Sequence, residues 1–301
     1  MENELENILN TSLTKLNISV NEGCINNASV YQTDEHKLLF VKDNSKPGSD
    51  KMFNGELEGL MAICSTNTIS APYPVTTGCT NSGQHFIVMD YWEMRSLSKR
   101  CTSELGSQLA DMHMFNLQES QPRINKFGFH IETCCGFIPQ NNTWTDDWIT
   151  FYTENRLEYQ IQLLQSKPEN SLKKKKIIEN YWPRLKLIIP KFFEGIEVKP
   201  SLLHGDLWPG NTAQSNSKPV IFDPATFYGH HEYDIASISL FGGISKDFFE
   251  AYFKKIPKSN GFENRKLLYH LFHYLNHWNH FGGSYVDLTI NTFELLLNAY
   301  S

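Results

Sequence analysis

LLHGDLWPGN, residues 202–211, gives the first indication of how this 301-residue chain is built. Two leucines end a short apolar run, and polar and glycine-rich residues follow at once. A second apolar run, VIF at residues 220–222, ends in Asp223. Asp206, Asn211 and Asp223 therefore place two carboxylates and an amide beside the ends of apolar segments. Each alone is more often a turn or cap residue. Together they are the hard oxygen ligands that Mg²⁺ prefers, and they predict phosphoryl transfer.

The spacing of three residues in this stretch supports the same interpretation. His204, Asp206 and Asn211 have the pattern H-x-D-x-x-x-x-N. Protein kinases share this spacing, with the Asp as catalytic base, the Asn as a metal ligand and a later Asp as a further Mg²⁺ ligand. We therefore predict an ATP-dependent phosphotransferase, with Asp206 as base and with Asn211 and Asp223 as metal ligands.

The composition is that of an ordinary globular protein, with 40% hydrophobic and 20% charged residues. A length of 301 residues suffices for one large domain or for two lobes. The net charge of -6 and the isoelectric point near 6.0 argue against general binding of nucleic acids. A basic run, residues 173–176, is interpreted as a solvated face.

The sequence also predicts a cytoplasmic protein without a membrane span. Residues 1–5 are acidic and lack the apolar core of a signal peptide. The chain has no apolar run of about 18 residues. None of the six cysteines forms a C-x-x-C pair, and the chain is too long to need a disulfide scaffold, so a reducing cytosol fits best.

Residues 1–89 are predicted to form a small β-rich lobe. We expect helices over residues 1–15 and 51–65, and strands over 16–20, 28–33, 37–41, 75–79 and 85–89. Lys42 closes the third strand and Glu56 lies beside the apolar face of the second helix, so the two can pair and hold the ATP phosphates. A strand-end lysine that reaches solvent and an exposed helical glutamate are the alternatives.

Two segments of this lobe are candidate nucleotide contacts. The backbone N–H groups of Gly23-Cys24-Ile25-Asn26 are suited to covering phosphates, although a loop with one glycine is also typical of an ordinary hairpin. Residues 90–94 are interpreted as a hinge between two lobes. The adenine is expected against its backbone, at Met89, Asp90 and Tyr91.

Residues 95–301 are predicted to form a large helical lobe. Helices are expected around residues 105–115, 145–163, 172–189, 235–241, 246–253 and 265–281. His273, His277 and His280 share one face of the last helix, which would suit a metal site. No acidic or cysteine partner accompanies them in the sequence. A packed, aromatic-rich helix therefore explains them better, and lining a sugar pocket is a second use.

From about Gly23 onward, the chain resembles the fructosamine-3-kinase and ketosamine-3-kinase family, and within it the ketosamine-3-kinase-related branch. The longest matching motifs are LHGDLWPGN at 203–211, VIFDPATFYGHHEY at 220–233, FGFHIETCCGFIP at 127–139 and LFHYLNHWNHFG at 271–282. The resemblance implies an α+β fold like that of protein kinases and aminoglycoside phosphotransferases, with a β-rich N-lobe and a helical C-lobe. It also implies ATP and Mg²⁺ as cofactors.

The resemblance further implies a substrate and a set of roles. The substrate would be a ketosamine, a sugar-derived ketose on a protein lysine or a small amine, phosphorylated at its O3 hydroxyl so that the sugar is later lost. Trp208 and His277 would contact the substrate, and His204 and Asp234 would brace the catalytic loop. The roles inferred above for Lys42, Glu56, Asp206, Asn211 and Asp223 carry over unchanged.

Three questions stay open from the sequence. Oxidation of Cys24, including an intermolecular disulfide, is a hypothesis for regulation, so the protein would be a monomer or a redox-linked dimer. The sugar is ribulosamine, psicosamine or fructosamine. The alternatives to this function are a kinase for another hydroxylated amine and a kinase fold that binds without catalysis.

Overall fold

The computed structural model describes residues 1–18, 26–118, 123–168 and 171–300. The N-terminal lobe is built on an antiparallel sheet of five strands in the order β1-β2-β3-β5-β4. The strands are β1 (Leu13–Leu16), β2 (Asn27–Thr33), β3 (Leu38–Asn44), β4 (Pro74–Cys79) and β5 (His85–Asp90). Two helices pack on this sheet, α1 (Glu2–Leu9) and α2 (Ser49–Ser65).

Alternation along β3 decides which side chains reach the interlobe side of the sheet. Successive side chains of a strand point to opposite faces. Leu39 and Val41 are buried in a small core with Leu5 of α1. Lys42 therefore points to the opposite face, where Glu56 of α2 lies. A polar pair is thereby held under the sheet, away from this core.

The C-terminal lobe is mainly helical. Its helices are α3 (Lys99–Phe115), α4 (Trp148–Thr150), α5 (Tyr159–Ser166), α6 (Leu172–Lys176), α7 (Trp182–Ile188), α8 (Glu232–Ser239), α9 (Lys246–Lys255), α10 (Phe262–Phe281) and α11 (Tyr285–Asn298). π-helical segments join some of them at Phe151–Glu158 and Ile177–Tyr181, and 3₁₀ turns lie at Ile189–Phe193 and Pro209–Asn211. Its short strands are β6 (Thr133–Cys135), β7 (Ile138–Gln140), β8 (Ser201–Leu203), β9 (Thr212–Ser215), β10 (Lys218–Ile221) and β11 (Phe227–Gly229).

This arrangement of a sheet lobe and a helical lobe confirms the predicted α+β class. The chain passes from one lobe to the other through residues 91–98, since Asp90 is the last residue of β5. Arg95 pairs its backbone with Gln214 of β9 through two hydrogen bonds of 2.9 Å. The connection is therefore attached to the C-terminal lobe before α3 begins. The boundaries of the lobes as predicted, 1–89 and 95–301, stay predictions.

The beginning of the chain differs from the prediction. The first helix ends at Leu9, because Asn10 adopts a left-handed conformation with φ of 51°. Leu13 opens β1, where its N–H donates to the Glu6 side chain at 2.8 Å. The strand expected to begin at residue 16 therefore begins at Leu13 and ends at Leu16, and residues 19–20 of the expected range lie outside the described residues. β3 also continues past Lys42 to Asn44, because the ladder with β5 extends that far.

Two further differences lie in the helical lobe. The predicted helix start at Thr145 was wrong, because Asp147 is the N-cap and accepts from the Thr150 N–H at 2.7 Å. The helix α11 was not predicted. Its β-branched residues lower the helix propensity of the segment, and packing against α10 stabilises it. In the described part of the chain, no helix is both long enough and apolar enough to cross a membrane.

Candidate active site

The loop after β8 is held from below by a buried carboxylate. Asp234, the third residue of α8, accepts the backbone N–H groups of His204 at 2.7 Å and of Gly205 at 2.9 Å. Gly205 has a φ of +83°, and a Cβ there would lie 2.0 Å from the carbonyl oxygen of Ala225. This conformation favours glycine, so the loop geometry depends on Gly205 and Asp234 together. These are the contacts that a bracing residue would make.

His204 links this loop to the end of β10. Its Nε2 lies 2.9 Å from the carbonyl oxygen of Phe222, and its Nδ1 lies 3.3 Å from the backbone nitrogen of Asp206. The ring therefore donates from Nε2 and accepts at Nδ1. Burial lowers the pKa of His204, which favours this neutral form. The ring thus fixes Asp206 relative to the residue that precedes Asp223.

Asp206, Asn211 and Asp223 come together at the interlobe cleft. The amide nitrogen of Asn211 donates to the backbone oxygen of Asp206 at 2.9 Å and contacts its carboxylate at 3.4 Å. Asp223 has a φ of 57°, which is uncommon for a residue other than glycine. Burial first, and then the charge of Asp223, raise the pKa of Asp206 to about 7. A carboxyl group with such a pKa is suited to accept a proton near neutral pH.

Lys42 joins the two lobes at this point. Its Nζ lies 2.6 Å from Glu56 and 2.5 Å from Asp223, which is 181 residues away in the sequence. Burial alone would lower the pKa of Lys42, but the charges of Asp223 and Glu56 outweigh this effect and raise it. The lysine is therefore held as a cation. The solvent-reaching alternative does not describe it, because both Lys42 and Glu56 are buried.

The donor set in the cleft fits a magnesium nucleotide. Asn211 directs its amide nitrogen towards Asp206 and Asp223, so its amide oxygen is not used in these bonds. Asp223 is half-exposed on the cleft side and contributes a carboxylate. Oxygen ligands of this kind bind Mg²⁺, which usually also contacts substrate phosphates.

The predicted nucleotide contacts are placed only in part. Gly23, Cys24 and Ile25 lie outside the described residues. Asn26 accepts a hydrogen bond from the side chain of Asn44 at 2.9 Å. Met89 is buried in β5. The N–H groups of Asp90 and Tyr91 donate to the carbonyls of Tyr73 and Leu38, so a contact of this segment with adenine must use other atoms.

One side of the cleft carries a row of aromatic rings. Trp208 is 39% exposed just after Asp206, and its ring lies 6.0 Å from Phe241. Phe241 lies 5.3 Å from His277, which in turn lies 4.7 Å from Tyr285. The structure therefore brings the two predicted substrate residues, Trp208 and His277, into one surface. It adds Phe241 and Tyr285, which the sequence had not singled out.

Three comparisons with known proteins identify the family and the fold of the chain. A sequence profile described as fructosamine kinase matches residues 2–299. The chain belongs to the fructosamine kinase family. A ketosamine-3-kinase from Mus musculus is 41% identical, with 97% of this chain and 98% of that protein covered. A chloroplastic protein-ribulosamine 3-kinase from Arabidopsis thaliana is 42% identical, with 91% and 80% covered.

Solved structures show that this family member has the expected fold. A putative fructosamine-3-kinase from Haemophilus somnus superposes with a TM-score of 0.83 at 26% identity, covering 98% of this chain and 96% of that one. An aminoglycoside phosphotransferase in a ternary complex with ADP and hygromycin B superposes with a TM-score of 0.67 at 12% identity, covering 100% and 99%. The kinase-like fold class is thereby confirmed.

Two residues next to the site were missed or underestimated by sequence reasoning. His113 of α3 is fully buried, and its Nε2 lies 3.1 Å from Asp234. Cys135 of β6 is also buried, and its Sγ lies within 4.8 Å of a carboxylate oxygen of Asp206. No local signal marks either residue, because the partners lie in distant parts of the chain.

Proposed function

We propose that this protein is an ATP-dependent kinase that phosphorylates the O3 hydroxyl of ketosamines, on protein lysines or on small amines. The observation that carries the proposal is the meeting of Lys42 and Glu56 with Asp206, Asn211 and Asp223 in one cleft. It occurs in a chain that belongs to the fructosamine kinase family along residues 2–299 and has close relatives named ketosamine-3-kinase and protein-ribulosamine 3-kinase.

On the nucleotide side, this chain supplies fixed charge. Lys42, oriented by Glu56, would bind the α- and β-phosphates, and Asn211 and Asp223 would hold Mg²⁺. When bound, ATP supplies the phosphoryl group and Mg²⁺ neutralises charge on the phosphates. Because the phosphoryl group passes through a loose transition state, positioning and charge stabilisation are the main contributions of these residues.

On the acceptor side, Asp206 would accept the proton of the O3 hydroxyl as the oxygen–phosphorus bond forms. Its raised pKa makes it a better proton acceptor than an ordinary aspartate. Trp208 offers a broad apolar face for the sugar or its linkage. His277 lies on the same surface, because the ring of Phe241 contacts both Trp208 and His277. The 3-phosphate is a good leaving group, so β-elimination expels phosphate, and hydrolysis of the remaining adduct by water then frees the amine.

The test is ATP-dependent phosphorylation of ribulosyl-lysine and fructosyl-lysine by the wild-type protein and by Asp206→Asn. We expect turnover of ribulosyl-lysine and a fall of kcat by about 10²–10⁴-fold in the variant, because the base is lost. Asp111→Asn is the matched control, since Asp111 lies on the surface of α3 and pairs with Lys255. Turnover of both sugars would place the enzyme in the fructosamine branch.

Three results would refute parts of the proposal. If neither sugar is phosphorylated while ATP is bound and another hydroxylated amine is, the enzyme is a kinase for that acceptor. If ATP is bound and no acceptor is phosphorylated, the protein is a binding module with a kinase fold. An unchanged kcat in Asp206→Asn would remove Asp206 as the base.

A further inference from the structure

Three atoms that bind metals well converge behind the catalytic loop. The Sγ of Cys135 at the end of β6, a carboxylate oxygen of Asp206 and a ring nitrogen of His273 in α10 all lie within 4.8 Å of one another. Sequence reasoning had rejected a metal site at His273 because no acid or cysteine accompanies it along the chain. The tertiary structure provides both partners.

His273 is the residue that suggests a ligand. It is 2% exposed, and its Nε2 is buried without a hydrogen-bond partner among the described residues. A buried polar atom of this kind is unfavourable unless something binds it. His280 on the same helix shows the contrast, because its Nε2 accepts the N–H of Phe137 at 2.9 Å and its Nδ1 donates to Asn276 at 2.8 Å.

We propose that Cys135, Asp206 and His273 form an inhibitory site for Zn²⁺. Sulfur, nitrogen and carboxylate oxygen are the ligands that zinc takes, at about 2.0–2.3 Å, and three protein ligands leave the fourth position open. The three ligand atoms lie within 4.8 Å of one another. Each needs to move by only about 1 Å for all three to bind one ion at these bond lengths. Asp206 is partly exposed, so its carboxylate provides the entry from the cleft.

The ligand atoms of this site distinguish it from the predicted magnesium site. Mg²⁺ takes oxygen ligands and would be held by Asn211 and Asp223, whereas a thiolate and an imidazole select zinc. Zinc binding to the Cys135 sulfur replaces the thiol proton, which passes to the solvent.

The consequence for catalysis follows from Asp206. A carboxylate that binds zinc does not accept the proton of the acceptor hydroxyl. Zinc should therefore lower kcat for the ketosamine and should not compete with ATP. This second part rests on the proposed function, whereas metal binding itself does not.

Direct binding is measured first, on the full chain without nucleotide. Co²⁺ is used as a spectroscopic probe and Zn²⁺ is titrated by calorimetry. We expect a thiolate-to-cobalt charge-transfer band that Zn²⁺ removes. Cys135→Ser should abolish the band. Cys135→Ser and His273→Gln should each lower the affinity for Zn²⁺. The loss should exceed the roughly 10–100-fold that removal of an outer-shell partner costs.

Cys134→Ser is the matched control. Cys134 is the neighbouring cysteine of β6, and alternation along the strand points its thiol to the other face, near Glu132 and Lys51. Its variant should keep both the band and the zinc affinity. Circular dichroism and ATP binding identify any variant that fails to fold, and the wild-type cobalt spectrum does not depend on the variants.

Inhibition is then measured with free Zn²⁺ set by a metal buffer. We expect zinc to lower kcat for the ketosamine at saturating ATP, with KM for ATP unchanged. A wild-type protein without the charge-transfer band, or a band that persists in Cys135→Ser, would overturn the site. Zinc that binds through Cys135 but inhibits only against ATP would overturn the inhibitory role. Metal binding in a protein that phosphorylates no ketosamine would refute the proposed function and leave the site standing.

Discussion

Asp234→Asn is expected to destabilise the protein and to slow catalysis without weakening ATP binding to the same extent. The carboxylate is fully buried and accepts N–H groups from His204 and Gly205, with His113 also at 3.1 Å. An asparagine keeps one acceptor and turns an NH₂ group towards the other N–H. One hydrogen bond to a charged group is worth about 1.5–3 kcal/mol, and an unsatisfied buried N–H costs about 1–3 kcal/mol.

We therefore expect the free energy of unfolding to fall by about 3 kcal/mol in Asp234→Asn. A shift of the loop by about 1 Å would lower kcat by about 10²-fold. Lys42 and Glu56 lie in the other lobe, so KM for ATP should change little.

The assay is urea unfolding followed by fluorescence, together with steady-state kinetics on ribulosyl-lysine. Asp111→Asn is again the matched control, because its partly exposed pair with Lys255 should contribute less than about 1 kcal/mol. The reasoning fails if Asp234→Asn is no less stable than Asp111→Asn. It also fails if kcat is unchanged while stability is lost, since the brace would then not position Asp206.

Three further predictions follow from buried titratable groups. Glu56→Gln should lower kcat/KM for ATP by about tenfold or more, equal to about 1.4 kcal/mol, while Glu58→Gln on the exposed face of α2 should leave it unchanged in the same kinetic assay. Arg265→Met should cost about 3–5 kcal/mol in urea unfolding, because it leaves Glu232 buried without the two hydrogen bonds of 2.7 and 2.8 Å; an unchanged midpoint would contradict this. Burial lowers the pKa of His231 from 6.5 to about 3. As the pH falls below about 6.5, the unfolded chain therefore binds a proton at His231 that the folded chain does not bind. The free energy of unfolding should fall by up to about 1.4 kcal/mol per pH unit. His231→Asn should flatten this dependence in urea midpoints measured between about pH 7 and 5.

Local patterns identified the chemistry of the catalytic loop. The spacing of Asp206 and Asn211 within one loop is set by a few residues of backbone, so the sequence placed them together. Asp223 follows the strand that pairs with the one after Asn211, which a hairpin also brings close. The strands and most helices follow from periodicity. The error at Asn10 arose because a left-handed residue ends the helix there. The error at Thr145 arose because Asp147, two residues later, caps the start of the helix instead.

The sequence by itself determined the family, the fold class and the loop that carries Asp206, because these depend on residues near one another in the chain. Only the tertiary structure decided which distant residues support that loop. Asp234 meets His113 across 121 residues, and Lys42 meets Asp223 across 181. The proposed zinc site depends on β6 and α10 bringing Cys135 and His273 within 4.8 Å of Asp206. Such contacts carry no local signal, because burial and packing of whole elements, and not spacing along the chain, bring these side chains together.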